Sequence, residues 1–321
     1  MTAVSGTIEV IRKTLSDKGY GDLAKEIREN EMMKAHTSFR VGGPAEFYAE
    51  PSTTEEIIAL IDTAKALGIP FFLMGNGSNI VISDEGIDGL VIRLGEKFSS
   101  IRSEDDPEDP DAVQVFATAG TLLTRLSSFA AKNSLTGLEF ASGIPGSLGG
   151  AVFMNAGAYD HDMSEVIEKV TFITSDGKTG QVSRDELDLS YRSSRFMKEG
   201  GIVCEVVLKL KKGDAEEINS QIRTYTEKRT KSQPLQYPSA GSMFKRPEGY
   251  YTGALIEQAG LKGFSIGGAQ VSEKHAGFVI NTGDATAKDI DDLVSHIQKT
   301  IQEKNGVMLQ REVRFIGRGF N

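Results

Sequence analysis

Residues 47–79 read FYAEPSTTEEIIALIDTAKALGIPFFLMGNGSN, and they carry a strand, a helix, a second strand and a glycine loop in that order. Phe47-Tyr48-Ala49-Glu50 has the composition of a short strand, Pro51 interrupts it, and Ser52, Thr53 or Thr54 offers a helix cap. Ile57, Leu60, Ile61 and Ala64 recur at helical spacing, and Gly68 closes the helix. The apolar run Ile69 to Met74 then delivers the chain straight into Gly75-Asn76-Gly77-Ser78-Asn79. A glycine loop at the end of a buried strand presents several backbone N–H groups together, an arrangement suited to phosphate.

Outward from this unit, the segment 137–159, GLEFASGIPGSLGGAVFMNAGAY, replaces nearly all charged residues by small ones. The chain has 35 glycines in 321 residues, and their clustering here points to backbone that lies against a ligand or another backbone. Between the two glycine-rich segments, Ser103 to Asp111 is acidic and proline-interrupted and is expected to be a solvated excursion, with a hairpin insertion as one form of it. Val113 to Ala117 alternates as a strand, and Thr121 is placed to cap a helix with Leu122, Leu123, Leu126 and Phe129 inward. Strands are expected over Val166 to Ile173, Gly180 to Val182 and Ile202 to Leu210, with Gly201 as a break. A helix over Ala215 to Arg229 buries Ile218, Ile222 and Tyr225. A domain boundary is expected near Lys211 to Asp214, where the apolar strand ends in Lys-Lys-Gly-Asp. The last part holds a helix over Thr286 to Lys304, stopped by Asn305-Gly306, and a final strand, Val307 to Ile316, carrying Glu312.

The bulk numbers bound the function classes. A chain of 321 residues exceeds one ordinary core, so two or three domains are expected. The one cysteine, Cys204, lies in an apolar run, which excludes disulfides and Cys-ligated metal, and no His/Cys/Asp/Glu group has metal-ligand spacing. No run of about 18 apolar residues and no apolar leader is present, so a cytoplasmic location without membrane attachment is expected. A net charge of -9 argues against general nucleic-acid binding, although a local basic patch can still hold an anionic small molecule. Neither a G-x-G-x-x-G opening a helix after the first strand nor a G-x-x-x-x-G-K-[ST] loop occurs.

Seven blocks, TSFRVGG (37–43), GNGSN (75–79), SGIPGSLGG (142–150), NAGAY (155–159), YRSSRF (191–196), PSAGSMFKRP (238–247) and EVRFIG (312–317), taken in this order resemble the UDP-N-acetylenolpyruvoylglucosamine reductase (MurB) family over nearly the whole chain. The resemblance implies an α+β fold: an FAD-binding fold of the vanillyl-alcohol-oxidase (PCMH) type in two subdomains, plus a C-terminal α+β substrate-binding domain. The expected boundaries are 1–93 and 94–212 for the two FAD-binding subdomains, 213–311 for the substrate-binding domain, and 312–321 for a C-terminal strand and tail returning to the FAD site. The short connections from Arg229 to Ser242 and from Glu248 to Gly268 resemble the shorter form of the family, which lacks a tyrosine-bearing loop.

The implied activity is NADPH-dependent reduction of UDP-N-acetylglucosamine enolpyruvate to UDP-N-acetylmuramate through bound FAD, in peptidoglycan precursor synthesis, by a monomer. The histidines 36, 161, 275 and 296 lie outside the GNGSN and SGIPGSLGG loops, so the FAD is expected to be non-covalent. By the same resemblance Ser242 is the proton donor, Arg192 holds the substrate carboxylate, and Glu312 is the partner of Arg192. The cofactor-binding set implied is Arg40, Gly75, Asn76, Gly77, Ser78, Asn79, Gly120, Ser142, Gly143, Ile144, Pro145, Gly146, Gly149, Ala151 and Asn155, with Ile202 at the adenine end and Arg318 near the flavin. Tyr191 and His275 are candidate substrate contacts, and Lys228, Arg229, Lys231, Lys245 and Arg246 supply cations for the substrate diphosphate. Each has an ordinary alternative: a Gly-Ser turn is commonly structural, an arginine commonly makes a surface ion pair (with Arg195 as a rival to Arg192), and Glu312 has Arg311 and Arg314 beside it. A flavin-dependent alcohol or sugar oxidase of the same wider fold is the alternative function, and a nucleotide-sugar sensor without stable flavin is a third.

Overall fold

The computed structural model describes residues 4–174 and 176–320. The chain forms two compact units: one from the N-terminal segment up to Glu29, Phe47–Asn76 and Gly89–Lys228, the other from Asn30–Glu46, Gly77–Asp88 and the chain from Arg229 onward.

In the first unit the helix Thr54–Ala66 is set by its own sequence. Thr53 is the N-cap and accepts from the Glu56 amide, while the Glu56 carboxylate reaches back to the amide and hydroxyl of Ser52 at 2.6 and 2.8 Å. Ile57, Leu60, Ile61 and Ala64 are buried on one face, and Gly68 ends the helix at φ +65°. A four-stranded sheet runs in the order Arg28–Met32, Pro44–Ala49, Ile87–Arg93, Phe71–Met74. Its last two strands are parallel, with Phe71 opposite Leu90 and Met74 opposite Arg93.

A second sheet of the first unit runs Thr179–Ser183, Ile167–Ile173, Ile202–Lys212, Ala112–Thr118, Ile101–Asp105, and Leu135–Thr136 also pairs with Ile202–Lys212. All these pairs are antiparallel. The long strand Ile202–Lys212 is the axis of this sheet, and burial pushes the Cys204 thiol up to about 12. A thiol reagent at mildly alkaline pH is therefore expected to leave native protein unlabelled and to modify it only in denaturant. Rapid native labelling, followed by mass spectrometry, would show that this central strand opens.

The acidic segment is the hairpin excursion expected, largely exposed, and departs from the expectation only at Asp106. Ile101–Asp105 is a sheet strand in a hairpin with Ala112–Thr118, and Asp106 is buried. Its carboxylate accepts from the amides of Glu108 and Asp109 at 3.0 and 2.8 Å and pairs with Lys209 at 3.2 Å, which offsets its desolvation. Thr121 is not a cap either: the helix Leu123–Lys132 starts after Leu122 without a side-chain cap, and the buried Thr121 hydroxyl donates to the Ser100 carbonyl. Leu122 is consequently exposed, while Leu123 and Leu126 are buried. The helix Ala215–Ser232 buries Ile218 and Tyr225, with Ile222 only half-buried.

The second unit is organised by the helix Ala287–Asn305. A capping box of Thr286 and Asp289 starts it, the Asp84 carboxylate accepts from the Ala287 and Lys288 amides, and Gly306 ends it at φ +68°. Ile290, Leu293, Val294, Ile297 and Ile301 are all buried in this unit's own core. A three-stranded antiparallel sheet (Ser265–Ile266, Ala269–Val271, Val279–Asn281) and a parallel pair, Ile80–Ile82 with Arg314–Ile316, complete it. The expected strand over 307–316 is thus limited to Arg314–Ile316, and Glu312 precedes it. The cause is a change of partner: Arg311 forms a bridge with Phe244 and the Glu312 amide donates to the Met243 carbonyl at 2.9 Å, before the chain turns to pair with Ile80–Ile82.

Candidate active site

Within the first unit the glycine loops are laced to one another. Asn76 Nδ2 donates to the Pro145 carbonyl at 2.7 Å, which ties the end of strand Phe71–Met74 to the SGIPGSLGG segment. Leu148 and Gly149 donate their amides to the carbonyls of Thr121 and Ala119 at 2.7 and 2.9 Å, so both sides of Gly120 are held to that segment. A side chain is disfavoured at these crossings, most firmly at Gly120, where the neighbour is backbone. A Cβ on Gly75 would lie 2.0 Å from the Ser147 hydroxyl oxygen, and one on Gly120 would lie 2.1 Å from the Gly95 carbonyl. Gly75, Asn76, Gly120, Pro145, Gly146 and Gly149 are thereby brought together. Ser142 and Gly143 close a short 3-10 turn just before, Ile144 follows it, and Ala151 is buried in the helix Leu148–Met154. Ile202 opens the long strand opposite Ile173, packed on the core.

Two features missed in the sequence support this surface. Arg93, opposite Met74, donates to Glu50 at 2.8 Å, and Glu50 also accepts from the fully buried Tyr48. Burial alone would raise the Glu50 carboxyl, but these hydrogen bonds hold it below the usual carboxylate range. The strand end that presents Gly75 is therefore pinned by a charge-assisted network. Second, the Ser147 hydroxyl is buried and, among the described residues, has no hydrogen-bond partner. A buried hydroxyl left in that state costs roughly 1–3 kcal/mol, so an orphan at the meeting of three glycine loops fits a site whose polar inventory is completed by a bound cofactor. No single-sequence signal separates this serine from its neighbours.

Arg192 lies in the same unit in a left-handed conformation, φ +52°, and its guanidinium donates to the carbonyls of Asn155 and Gly157 at 3.4 and 3.0 Å. Asn155 is the hub of this corner. It ends the helix Leu148–Met154 at φ +41°, its amide donates to the Ser190 carbonyl at 3.2 Å, and its side-chain oxygen accepts from the Ser164 amide at 3.0 Å. Asn tolerates the left-handed region better than other residues with a side chain. Asn155→Ala is expected to lower stability by about 2–4 kcal/mol through lost hydrogen bonds and strain and to loosen Arg192. Urea denaturation checks it, and an unchanged midpoint would remove Asn155 from this role.

Other candidates of the first unit have settled partners. Arg195 is paired with Glu199 at 2.8 Å, which separates it from Arg192. Tyr191 is exposed beside the Arg192 guanidinium. Lys228 lies over Tyr225, which stacks at 4.2 Å on Tyr159 of NAGAY. Tyr159 and Asp160 both have positive φ, as a two-residue primed hairpin turn requires, and this turn joins Gly157–Ala158 to His161–Asp162.

The second unit gathers the remaining candidates around Ser242. Gly241, at φ +80°, turns the chain into Ser242, which bridges to Phe278; Met243 donates to Gly277 and accepts from Glu312. Asn79 Nδ2 donates to the Glu312 carbonyl at 3.2 Å, and Asn79 accepts from the Arg314 amide. Gly77 and Ser78 lie on this same segment. The Ser38 hydroxyl, two residues before Arg40 (φ +58°), contacts the carbonyls of Gly77 and Ser239 at 3.4 and 2.7 Å. The segments that carry Gly77, Ser78, Asn79, Ser242 and Glu312 are thus one local assembly, and Arg40 follows Ser38 on the segment bound to it. Arg311 is directed away from Glu312, onto Asp291 at 2.6 Å, and burial lowers the Arg314 guanidinium below its ordinary value. Arg318 is bound to Asp88 and the Glu85 carbonyl. His275 is kept below its ordinary value by burial and accepts from the Gly277 amide through Nδ1, a neutral ring whose Nε2 carries the proton. Lys231 lies in the last turn of its helix just after Arg229, and Lys245 and Arg246 follow Ser242 after Met243 and Phe244. Among the described residues no group of three or more His, Cys, Asp or Glu could hold a metal ion.

Comparison with known proteins gives this arrangement a lineage. Residues 45–183 match the FAD binding domain model, and residues 233–316 match the model for the C-terminal domain of UDP-N-acetylenolpyruvoylglucosamine reductase. The UDP-N-acetylenolpyruvoylglucosamine reductase of Clostridium tetani is 47% identical over 92% of this chain and 93% of its own length. The Clostridium perfringens protein of that name is 48% identical over 92% of this chain and 94% of its own. The chain belongs to the UDP-N-acetylenolpyruvoylglucosamine reductase family. The crystal structure of the reductase from Thermus caldophilus matches with a TM-score of 0.75 at 37% identity, covering 90% of this chain and 99% of that one. As a member of this reductase family the chain is an FAD-containing oxidoreductase, and its α+β fold, an FAD-binding domain followed by a reductase C-terminal domain, is the one expected from the sequence.

Proposed function

We propose that this reductase reduces UDP-N-acetylglucosamine enolpyruvate with NADPH, through non-covalently bound FAD, to give UDP-N-acetylmuramate for peptidoglycan, as a cytoplasmic monomer. The observation that carries the catalytic part of the reading is the 2.9 Å hydrogen bond from the Glu312 amide to the Met243 carbonyl, which joins the segments of Ser242 and Glu312.

On this reading FAD would be held by the glycine loops, Arg40 and Asn155, and when bound it accepts hydride from NADPH and delivers it to the enol ether. The protein's own groups then deal with charge and proton. Arg192, aimed by the carbonyls of Asn155 and Gly157, offers a permanent planar cation to the substrate carboxylate. Its charge favours electron density moving from the double bond toward that carboxylate. Ser242 delivers the proton to the neighbouring carbon; a hydroxyl is a weak acid, so it acts only against a strongly basic carbon, and Glu312 supports the transfer. Lys228, Arg229, Lys231, Lys245 and Arg246 supply the positive charge that a diphosphate needs on a chain of net charge -9. Ile202 would touch the adenine end, Arg318 would lie near the flavin, and Tyr191 and His275 would flank the substrate.

For the domains, the reading is two FAD-binding subdomains at 1–93 and 94–212, a substrate-binding domain at 213–311 and a returning tail at 312–321. The larger antiparallel sheet, built from strands between Ile101 and Lys212, supports the second division.

The test is direct. Purified protein should be yellow, bleach anaerobically with NADPH, and recolour with the enolpyruvyl sugar nucleotide but not with other sugars. Colourless protein that binds the sugar nucleotide, or recolouring by oxygen and simple sugars alone, would overturn the proposal.

A further inference from the structure

The second unit carries, eight and nine residues after Ser242, two exposed tyrosines that none of the chemistry above uses. Tyr250 and Tyr251 are adjacent and 45% and 67% exposed, although each ring has large apolar area to hide. One face of Tyr251 is covered by Arg246, whose guanidinium carbon lies 3.9 Å from the ring centroid. The platform is built rather than loose. A turn from Pro247 to Tyr250 is closed by a 3.2 Å backbone hydrogen bond, Arg246 Nε donates to the Tyr250 carbonyl at 3.3 Å, and the Thr252 hydroxyl donates to the Lys245 carbonyl at 3.1 Å.

The helix that follows the ring is tied to the Ser242 segment through His275 and Gly277. After Tyr251 the chain enters the helix Thr252–Gln258, where Leu255 and Ile256 are buried. A Cβ on Gly253 would meet His275 at 3.4 Å, His275 accepts from the Gly277 amide, and the Gly277 carbonyl accepts from Met243, the residue after Ser242. An aromatic face, backed by a guanidinium and held by its own turn, thus follows the serine by nine residues on a segment tied back to it.

We infer that Tyr251 is the stacking platform for the pyrimidine base of a uridine diphosphate sugar, with Lys245 and Arg246 on its phosphates. This rests on the proposed function and adds the nucleotide end of the substrate to it. Any base has a π-face, and stacking on an aromatic side chain supplies affinity without requiring buried polar groups. Arg246 keeps one face of Tyr251 occupied and polarised and leaves the other for the base.

The experiment uses FAD-loaded full-length protein, with UDP and inorganic pyrophosphate as probes in calorimetric titrations and the enolpyruvyl sugar nucleotide for turnover. Tyr251→Ala is expected to weaken UDP by about ten-fold, the lower range for one base–aromatic stack, with a similar rise in KM, while pyrophosphate binds as before. Tyr251→Phe should retain wild-type affinity. Because the chain has no Trp, Tyr251→Trp introduces a single indole whose emission should be quenched by UDP and not by pyrophosphate. Unchanged UDP affinity in Tyr251→Ala, or an equal loss for UDP and pyrophosphate, overturns the platform. If wild-type holoenzyme is reoxidised by substrate but Tyr251→Ala binds UDP normally, only this inference falls. If wild type neither binds UDP nor is reoxidised, the proposed function falls with it.

Discussion

Ser242→Ala is expected to leave reduction of the bound flavin by NADPH close to wild type and to slow its reoxidation by substrate by about 10²–10⁴-fold, the usual contribution of a positioned proton donor. The asymmetry follows from the chemistry: a proton is needed only when the enol ether accepts electron density. The substitution should be structurally mild. Ser242 is joined to Phe278 through backbone groups, and the turn before it is set by Gly241 at φ +80° rather than by the serine side chain. Stopped-flow absorbance of the two half-reactions checks this. Equal slowing of both would mean that the hydroxyl shapes the site instead of donating, and a normal reoxidation rate would move the donor elsewhere.

Gly77→Ala is expected to yield folded protein that retains little flavin. The residue sits at φ +64°, where an L side chain is strained by roughly 1–2 kcal/mol, and its Cβ would come 2.1 Å from the His36 carbonyl oxygen and 3.0 Å from the Thr37 Cα. Those are backbone atoms that cannot rotate aside. Their segment is further fixed by the Ser38 amide donating to the Gly77 carbonyl and by the His36–Glu31 pair at 2.7 Å. Relief must come from moving the Gly77-Ser78-Asn79 backbone, the part of the loop tied to Glu312 through Asn79. Flavin content after gel filtration, with circular dichroism as the folding control, reads the outcome. Full flavin retention would show that the loop has slack and that its glycine serves packing alone.

The contrast between these two positions also shows what was legible in the sequence. The helix Thr54–Ala66 was readable because cap, apolar stripe and terminal glycine all lie between Thr53 and Gly68 and agree. The seven blocks carried the family and hence the candidate residues. What failed was information held by distant partners. Asp106 looked solvated because Lys209, which makes its burial tolerable, is about a hundred residues away, and Thr121 looked like a cap because Ser100, its true acceptor, lies 21 residues earlier in the chain. Glu312 looked like a strand residue because apolar alternation cannot reveal that the main chain exchanges Met243 for Ile80–Ile82 as its partner. Ser147, Arg93 and Glu50 were invisible for a related reason: a serine in a glycine run and an ion pair between two strands acquire meaning only through what the fold sets against them.

The parallel pairing of Arg314–Ile316 with Ile80–Ile82 has a consequence for how the chain reaches this state. The second unit takes segments from residues 30–46 and 77–88 and finishes only with the C-terminal stretch. During synthesis those early pieces must wait, unpaired at that edge, until more than two hundred further residues have left the ribosome. Contacts of such high sequence separation make assembly slow, so nascent or truncated chains that lack the last few residues expose a short apolar strand, Ile80-Val81-Ile82, to whatever edge it meets first.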